Sequence, residues 1–467
     1  MRSPALRHLA EAVHSEGTGA LEAFWTRVSA TGTPLVEPDP EGNPAHRLVT
    51  FLWRDDPAAP AEDVLALLHT VTDKDRHAGD LSPHLMAKVP GTDVWAISHR
   101  LRADHRAAYQ FSVSRGPREQ ALATDRASWM RVLDTALPDP LSLSPVLPAR
   151  DGRHPSSVME LPDATSQPWA RRHPSQARGR LTEERPDGRR VLVHLPPGHP
   201  GAAAEGSRPA VTGPPVDGPE ASGPEAGGPE KGGPETAGPG AAADEPTGGH
   251  AAAADGPYPV VVLLDGEMWG PVLDFGDTLD GLLTDGRIPP AVTLMVDSMG
   301  RDRRIADLGC SEEFTDWLAD GLLPWAARRY GATADPARTV IAGQSAGGLT
   351  AAFAAFRRPE RFGNALCQSG SFWWPDDTEF DSGSEWLTRQ YAVSERRHVR
   401  FRLEVGLQEW MLLPQNRHLR NVLEARGYDV SYEEFNGGHD YACWRGGLAD
   451  GLGLLLSGRE AGPAAIR

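Results

Sequence analysis

The sequence predicts a mostly parallel α/β fold preceded by a small β-sandwich, and three observations carry that expectation. From Arg189 onward, continuous apolar strands alternate with helical stretches, the pattern of a sheet buried on both faces. Between His46 and Val113 the apolar residues alternate with period two. Between about Gly198 and Pro257 the chain becomes Gly/Pro-rich and low in complexity, interrupting the α/β pattern rather than ending it. At 467 residues there is length for two or three domains.

The first residues mix Leu6, Leu9 and Val13 with Arg7, His8 and Glu11. They read as a short amphipathic helix and lack the unbroken apolar stretch of a signal peptide. Trp95, Ile97, His99 and Leu101 then alternate with Ala96, Ser98 and Arg100, and Tyr109, Phe111 and Val113 alternate likewise. A turn at Pro90-Gly91-Thr92-Asp93 separates two such runs. Short strands joined by turns predict a β-sandwich over roughly residues 40–125, inside an N-terminal domain assigned to 1–150. The Pro- and Arg-rich stretch from Pro138 to Pro174 reads as extended, and a connector is placed at 151–180.

The α/β domain is assigned to 181–460, with strands at Val191 to Leu195, Tyr258 to Leu264, Ala291 to Val296, Arg338 to Ala342 and Val399 to Val405. Helical stretches run from Phe314 to Tyr330 and from Ala346 to Arg357. The 198–257 insert repeats Gly-Pro-Glu at Gly218, Gly223, Gly228 and Gly233 and carries nine acidic but two basic residues from Gly201 to Gly256. With so little to bury it is expected to be disordered.

The net charge of −17 argues against bulk attraction to nucleic acid or an anionic membrane, and no apolar run is long enough to span a bilayer. Cys310, Cys367 and Cys443 are too few and too scattered for a disulfide framework or a cysteine-based zinc site. A soluble cytoplasmic protein is expected, with no cofactor and with its oligomeric state open.

Thr339-Val340-Ile341-Ala342 leads into Gly343-Gln344-Ser345-Ala346-Gly347 and then a helix, giving strand, GxSxG, helix. Such a turn holds the central Ser strained and exposed, with glycines where a side chain would collide. A hydroxyl becomes nucleophilic when an imidazole takes its proton and an acid holds the imidazole's tautomer. His439, in Asn436-Gly437-Gly438-His439-Asp440, is the candidate base. Glu409, after the strand Phe401 to Val405 and a Gly406-Leu407-Gln408 turn, is the candidate acid, with Asp440 the rival. Oxyanion donors are expected from the backbone N–H groups of Ala346 and Glu267. Arg301-Asp302-Arg303-Arg304 reads either as a ligand-facing cation cluster or as a solvated surface run. Trp269, Trp373, Trp374, Trp410 and Trp444 lie near these motifs and read as cleft lining or as structural rings.

The stretches Leu263 to Trp269, Ala342 to Leu349, Arg358 to Gly363, Gln368 to Pro375 and Gly437 to Gly447 resemble the enterochelin (enterobactin) esterases, as does Ala87 to Trp95 in the front domain. The resemblance implies an α/β-hydrolase domain behind an immunoglobulin-like domain. It also implies cleavage of the trilactone of a ferric catecholate siderophore, the ferric ion entering as part of the substrate. Ser345 matches the nucleophile, His439 the base and Glu409 a family Glu, while Arg304 falls on a family Arg associated with the catecholate site. Beside the resemblance, Arg301 or Arg303 and flanking tryptophans, Trp374 first, are expected to aid Arg304 in binding the substrate. The chain departs from the family in its insert and in Ala346. Another ester on the same scaffold, or a non-catalytic siderophore binder, are the alternative readings.

Overall fold

A computed structural model describes residues 3–116, 125–149, 152–170, 172, 176–202, 257–375 and 384–457. The disorder expected of the 198–257 insert concerns, from 203 to 256, residues outside the described ones.

The chain opens with two helices, α1 (Pro4–Glu16) and α2 (Thr18–Thr31), where one was expected. Ser3 caps α1 by accepting the Leu6 N–H at 3.2 Å, and Pro4 sits at the first helical position, where its missing donor costs nothing. Strands β1 (Leu35–Pro38), β2 (His46–Arg54), β4 (Ala87–Lys88) and β5 (Val94–Arg102) form a four-stranded sheet in the order β1-β2-β5-β4. A second sheet joins β3 (Asp63–Leu67), β6 (Arg106–Ser114) and β7 (Ser157–Glu160). Val49, Phe51, Val64, Ala66, Tyr109, Phe111 and Met159 pack between the two sheets.

Two expectations are corrected here. The front domain is not all-β: Leu6, Leu9, Phe24, Trp25 and Val28 pack against Leu52, Val94 and Ala96, so helices cover the face of the first sheet turned away from the second. Helices α3 (His69–His77) and α4 (Arg126–Thr135) add to it. The stretch read as a connector contains β7, because Met159 supplies core and the strand completes the edge of β6.

The second domain is built on eight strands in the order β15-β14-β13-β12-β10-β11-β9-β8. These are β8 (Arg180–Glu184), β9 (Val191–Leu195), β10 (Val260–Leu264), β11 (Val292–Val296), β12 (Thr339–Gln344), β13 (Asn364–Gln368), β14 (Arg400–Gly406) and β15 (Asp429–Phe435). From β10 to β15 the pairings are parallel, while β8 and β9 add an antiparallel edge. Strands β9 to β13 are buried throughout, as their mostly apolar sequences require. One face is covered by α6 (Arg301–Leu308), α7 (Glu312–Asp316), α8 (Leu323–Tyr330), α9 (Ala346–Arg357), α10 (Trp386–Val393) and α11 (Leu413–Ala425). The other is covered by α5 (Phe275–Thr284) and α12 (Tyr441–Leu456). Among the described residues no helix is long and apolar enough to cross a membrane.

Candidate active site

Strand β12 delivers Ser345 to the carboxyl edge of the sheet, where α9 begins. Ser345 takes φ 59° and ψ −122°, a conformation strained for any residue with a side chain. The turn is held by its backbone: the Ser345 N–H donates to the Gln368 carbonyl and the Ser371 N–H donates to the Ser345 carbonyl, each at 3.0 Å. A Cβ on Gly343 would lie 2.5 Å from the Gly347 carbonyl carbon, so the crossing of strand and helix excludes a side chain there. The Ser345 hydroxyl lies 3.4 Å from that of Ser371.

His439 arrives from the loop after β15. Its Nδ1 lies 2.7 Å from Oε2 of Glu409, which the turn after β14 delivers and which is buried. The other carboxylate oxygen, Oε1, accepts the Ser369 hydroxyl at 2.6 Å and the Gly406 N–H at 2.8 Å. The Trp444 indole N–H donates to the same Ser369 hydroxyl at 2.9 Å, and its ring meets the His439 imidazole edge-on at 4.6 Å. With Oε1 satisfied by two donors, Oε2 faces the imidazole. An Nδ1–H tautomer held this way leaves Nε2 as the basic nitrogen. Asp440 is engaged elsewhere. One of its oxygens caps α12 by accepting the Ala442 N–H at 2.8 Å, and the other accepts the Ala108 N–H of the front domain.

Ala346 is the first residue of α9, so its N–H belongs to the amides that have no carbonyl within their own helix. Glu267 follows β10, the parallel neighbour of β12, and its carboxylate accepts the Ser298 N–H at 3.0 Å. Between them Asp265 takes φ 57°, and Gly266 presses on the backbone of Met295 too closely for a side chain.

Ser345, Ser371, Glu409 and His439 line a cavity of about 380 Å³ together with Trp373, Trp410, Met411 and Leu412. Its opposite wall is the front domain: Leu67, His69, Thr72, Asp73, Trp129 and Leu133. A groove of about 650 Å³ adjoins it, sharing His69, Leu133 and His439 and lined by Arg153, His154, Arg301 and Arg304 among others. The His69 imidazole at this junction is held below its ordinary pKa by burial, against the pull of Asp440 and Asp73.

One reading needs correcting, and the others are sorted by the structure. Trp373, not Trp374, faces the cavity; the Trp374 ring packs on Gly309 and the core of the second domain. Of the remaining tryptophans Trp410 lines the cavity, whereas Trp269 and Trp444 are buried. Arg304 borders the groove but is bound through Nε and an Nη to both oxygens of the buried Asp265, at 2.6 and 2.7 Å. Arg301 is exposed at the groove's edge. Ser369 and Ser371 lie in the Gln368 to Pro375 stretch, which assigns them no role, while Trp129 and His69 carry no motif in the sequence and reach the site from another domain.

Residues 248–455 match the esterase family and residues 48–170 the family described as enterochelin esterase, N-terminal. An iron(III) enterobactin esterase of Dickeya dadantii is 31% identical, with 94% of each chain covered. A crystal structure of ferric enterobactin esterase from Salmonella typhimurium matches with TM-score 0.70 and 28% identity over 93% of this chain and 98% of that one. The enterobactin esterase of Shigella flexneri, crystallised in the presence of enterobactin, matches with TM-score 0.68 and 26% identity over 93% and 97%. A relative this similar over nearly its whole length, joined to a hydroxyl, imidazole and carboxylate gathered at one cavity, places the chain in the enterobactin (enterochelin) esterase family.

Proposed function

We propose that the protein is a cytoplasmic serine esterase that opens the trilactone backbone of a ferric catecholate siderophore such as ferric enterobactin. Ser345 Oγ attacks a lactone carbonyl as its proton passes to His439 Nε2, with Glu409 stabilising the imidazolium that forms. The Ala346 and Glu267 N–H groups receive the charge developing on the carbonyl oxygen. The imidazolium returns its proton to the departing alkoxide, and water, deprotonated by the same imidazole, releases the acyl group. This chemistry requires no cofactor. The division into an immunoglobulin-like front domain and an α/β-hydrolase domain is part of the same reading.

The observation that carries the proposal is the 2.7 Å contact of Glu409 with His439 in a cavity shared with Ser345. The neighbouring arginines supply the chemistry the substrate demands. A ferric tris-catecholate is a trianion with aromatic faces, and a protein of net charge −17 can attract it only through a local cationic surface beside aromatic rings. Trp129, Trp373 and Trp410 in the cavity and Arg153 and Arg301 along the adjoining groove provide both. The test is incubation with ferric and iron-free trilactone siderophores, followed by mass analysis. The expected products are linear ester fragments, absent with Ser345→Ala. An intact trilactone after incubation with the unaltered protein would overturn the reading.

A further inference from the structure

We propose that strand β6 of the front domain is part of the device that positions His439, with Asp440 as the positioning residue. The inference rests on the serine-esterase reading but not on the identity of the ester. Strand β3 pairs with β6 from Ser114 only as far as Gln110, and β7 takes the opposite edge from Arg106 to Tyr109, so the β6 amides on the β3 edge beyond Gln110 need other acceptors. The loop that carries His439 supplies them. The Arg106 N–H donates to the Asn436 carbonyl at 3.1 Å, and the Ala108 N–H donates to the Asp440 carboxylate. The Asn436 amide donates to Asp104 at 2.6 Å, and the Cys443 thiol lies 3.4 Å from the Arg106 carbonyl. The fit is close: a Cβ on Gly437 would lie 2.9 Å from the Arg106 carbonyl oxygen. His439 therefore sits between attachments at 436 and 440, both made to the other domain. Asp440 joins that attachment to the first turn of α12, from which Trp444 supports the imidazole.

The front domain thus does more than roof the substrate, and loosening the joint should slow hydrolysis of an ester too small to touch that roof. Asp440→Asn isolates the effect. Asn is as good a helix cap as Asp, but its single acceptor oxygen cannot serve both Ala442 and Ala108. For p-nitrophenyl acetate we expect kcat to fall about tenfold with KM unchanged, by the same factor as for the ferric trilactone. The pH profile should keep its shape, since Glu409 still holds the imidazole. Hydrogen exchange of amides 436–442, which needs no substrate, should quicken. Asp104→Ala, at the rim of the joint, should show a smaller change of the same kind and serves if the first variant folds poorly. Unchanged kcat on the small ester, or unchanged exchange in the loop, would overturn the proposal. Failure of the unaltered protein to cleave either ester would instead refute the esterase reading, leaving hydrogen exchange to decide the joint.

Discussion

Ser369 shows how far the proposed triad depends on a residue to which its own stretch of sequence assigns no role. It takes φ 51°, is fully buried, and passes a hydrogen bond from Trp444 to Glu409. Ser369→Ala removes one of the two donors on Glu409 Oε1 and leaves the Trp444 N–H without its acceptor. We expect kcat to fall about tenfold at unchanged KM, with a loss of about 1–2 kcal/mol in stability from the stranded donor. Ser345→Ala and His439→Ala should each lower kcat by about 10³-fold or more with the fold intact, and Glu409→Gln by less. Steady-state kinetics on a small ester, beside denaturant titrations, separate these effects. Near-normal turnover by Ser345→Ala would refute its proposed role. Ser345, Glu409 and His439 were legible because each stands in a loop whose glycines announce a tight turn. Ser369 was not, since its role depends on Trp444, 75 residues away and close only in the folded chain.

At the scale of the element, α12 shows why one helix escaped the sequence. Gly446, Gly447, Gly451 and Gly453 depress its helix propensity, yet it runs unbroken from Tyr441 to Leu456. Packing explains most of those glycines. A Cβ on Gly451 would lie 2.5 Å from Leu366 Cδ1, and one on Gly447 would strike the buried Glu404 carboxylate. The helix must lie close on β13 and β14 to bring Trp444 beneath His439. Gly453 differs, because its Cβ would meet nothing nearer than the Arg287 carbonyl at 3.8 Å. Equal gains in propensity should therefore end with opposite signs. Gly453→Ala should stabilise by about 0.5–1 kcal/mol, whereas Gly447→Ala and Gly451→Ala should destabilise by about 1–3 kcal/mol. Chemical denaturation measures all three, and a stabilised Gly451→Ala would show that α12 has room to move. Strands β10, β11 and β12 were legible for the converse reason: buried on both faces, they write their position in short runs dominated by apolar residues, Val260 to Leu264 without a break. The front helices were less so, because their part in covering the first sheet shows only once Leu52 and Val94 are seen to need a cover.

For the whole molecule, the cleft between the domains decides which charges can act on a substrate. The sequence singled out Arg304 from its place after a strand, but its partner Asp265 lies 39 residues earlier and turns the pair into a neutral, partly buried unit. Arg304→Ala should therefore act first on stability. It strands a buried carboxylate, at a cost of about 3–5 kcal/mol, and would slow every substrate that needs the neighbouring loop of Glu267. Selectivity for the trianion is better tested at Arg153 and Arg301, which border the groove from opposite domains. Arg153 pairs with Asp134 at 2.8 Å, but both side chains are substantially exposed, so that bridge is weak and can be exchanged for a ligand. Arg153→Ala and Arg301→Ala should each raise KM for the ferric trilactone by about three- to tenfold and leave a neutral acetyl ester unaffected. The difference should shrink as salt is raised from about 0.05 to about 0.5 M, because the Debye length then falls from about 14 Å to about 4 Å. Equal loss on both esters, or a KM indifferent to salt, would remove the arginines from substrate attraction and leave Trp129, Trp373 and Trp410 in the cavity to account for recognition.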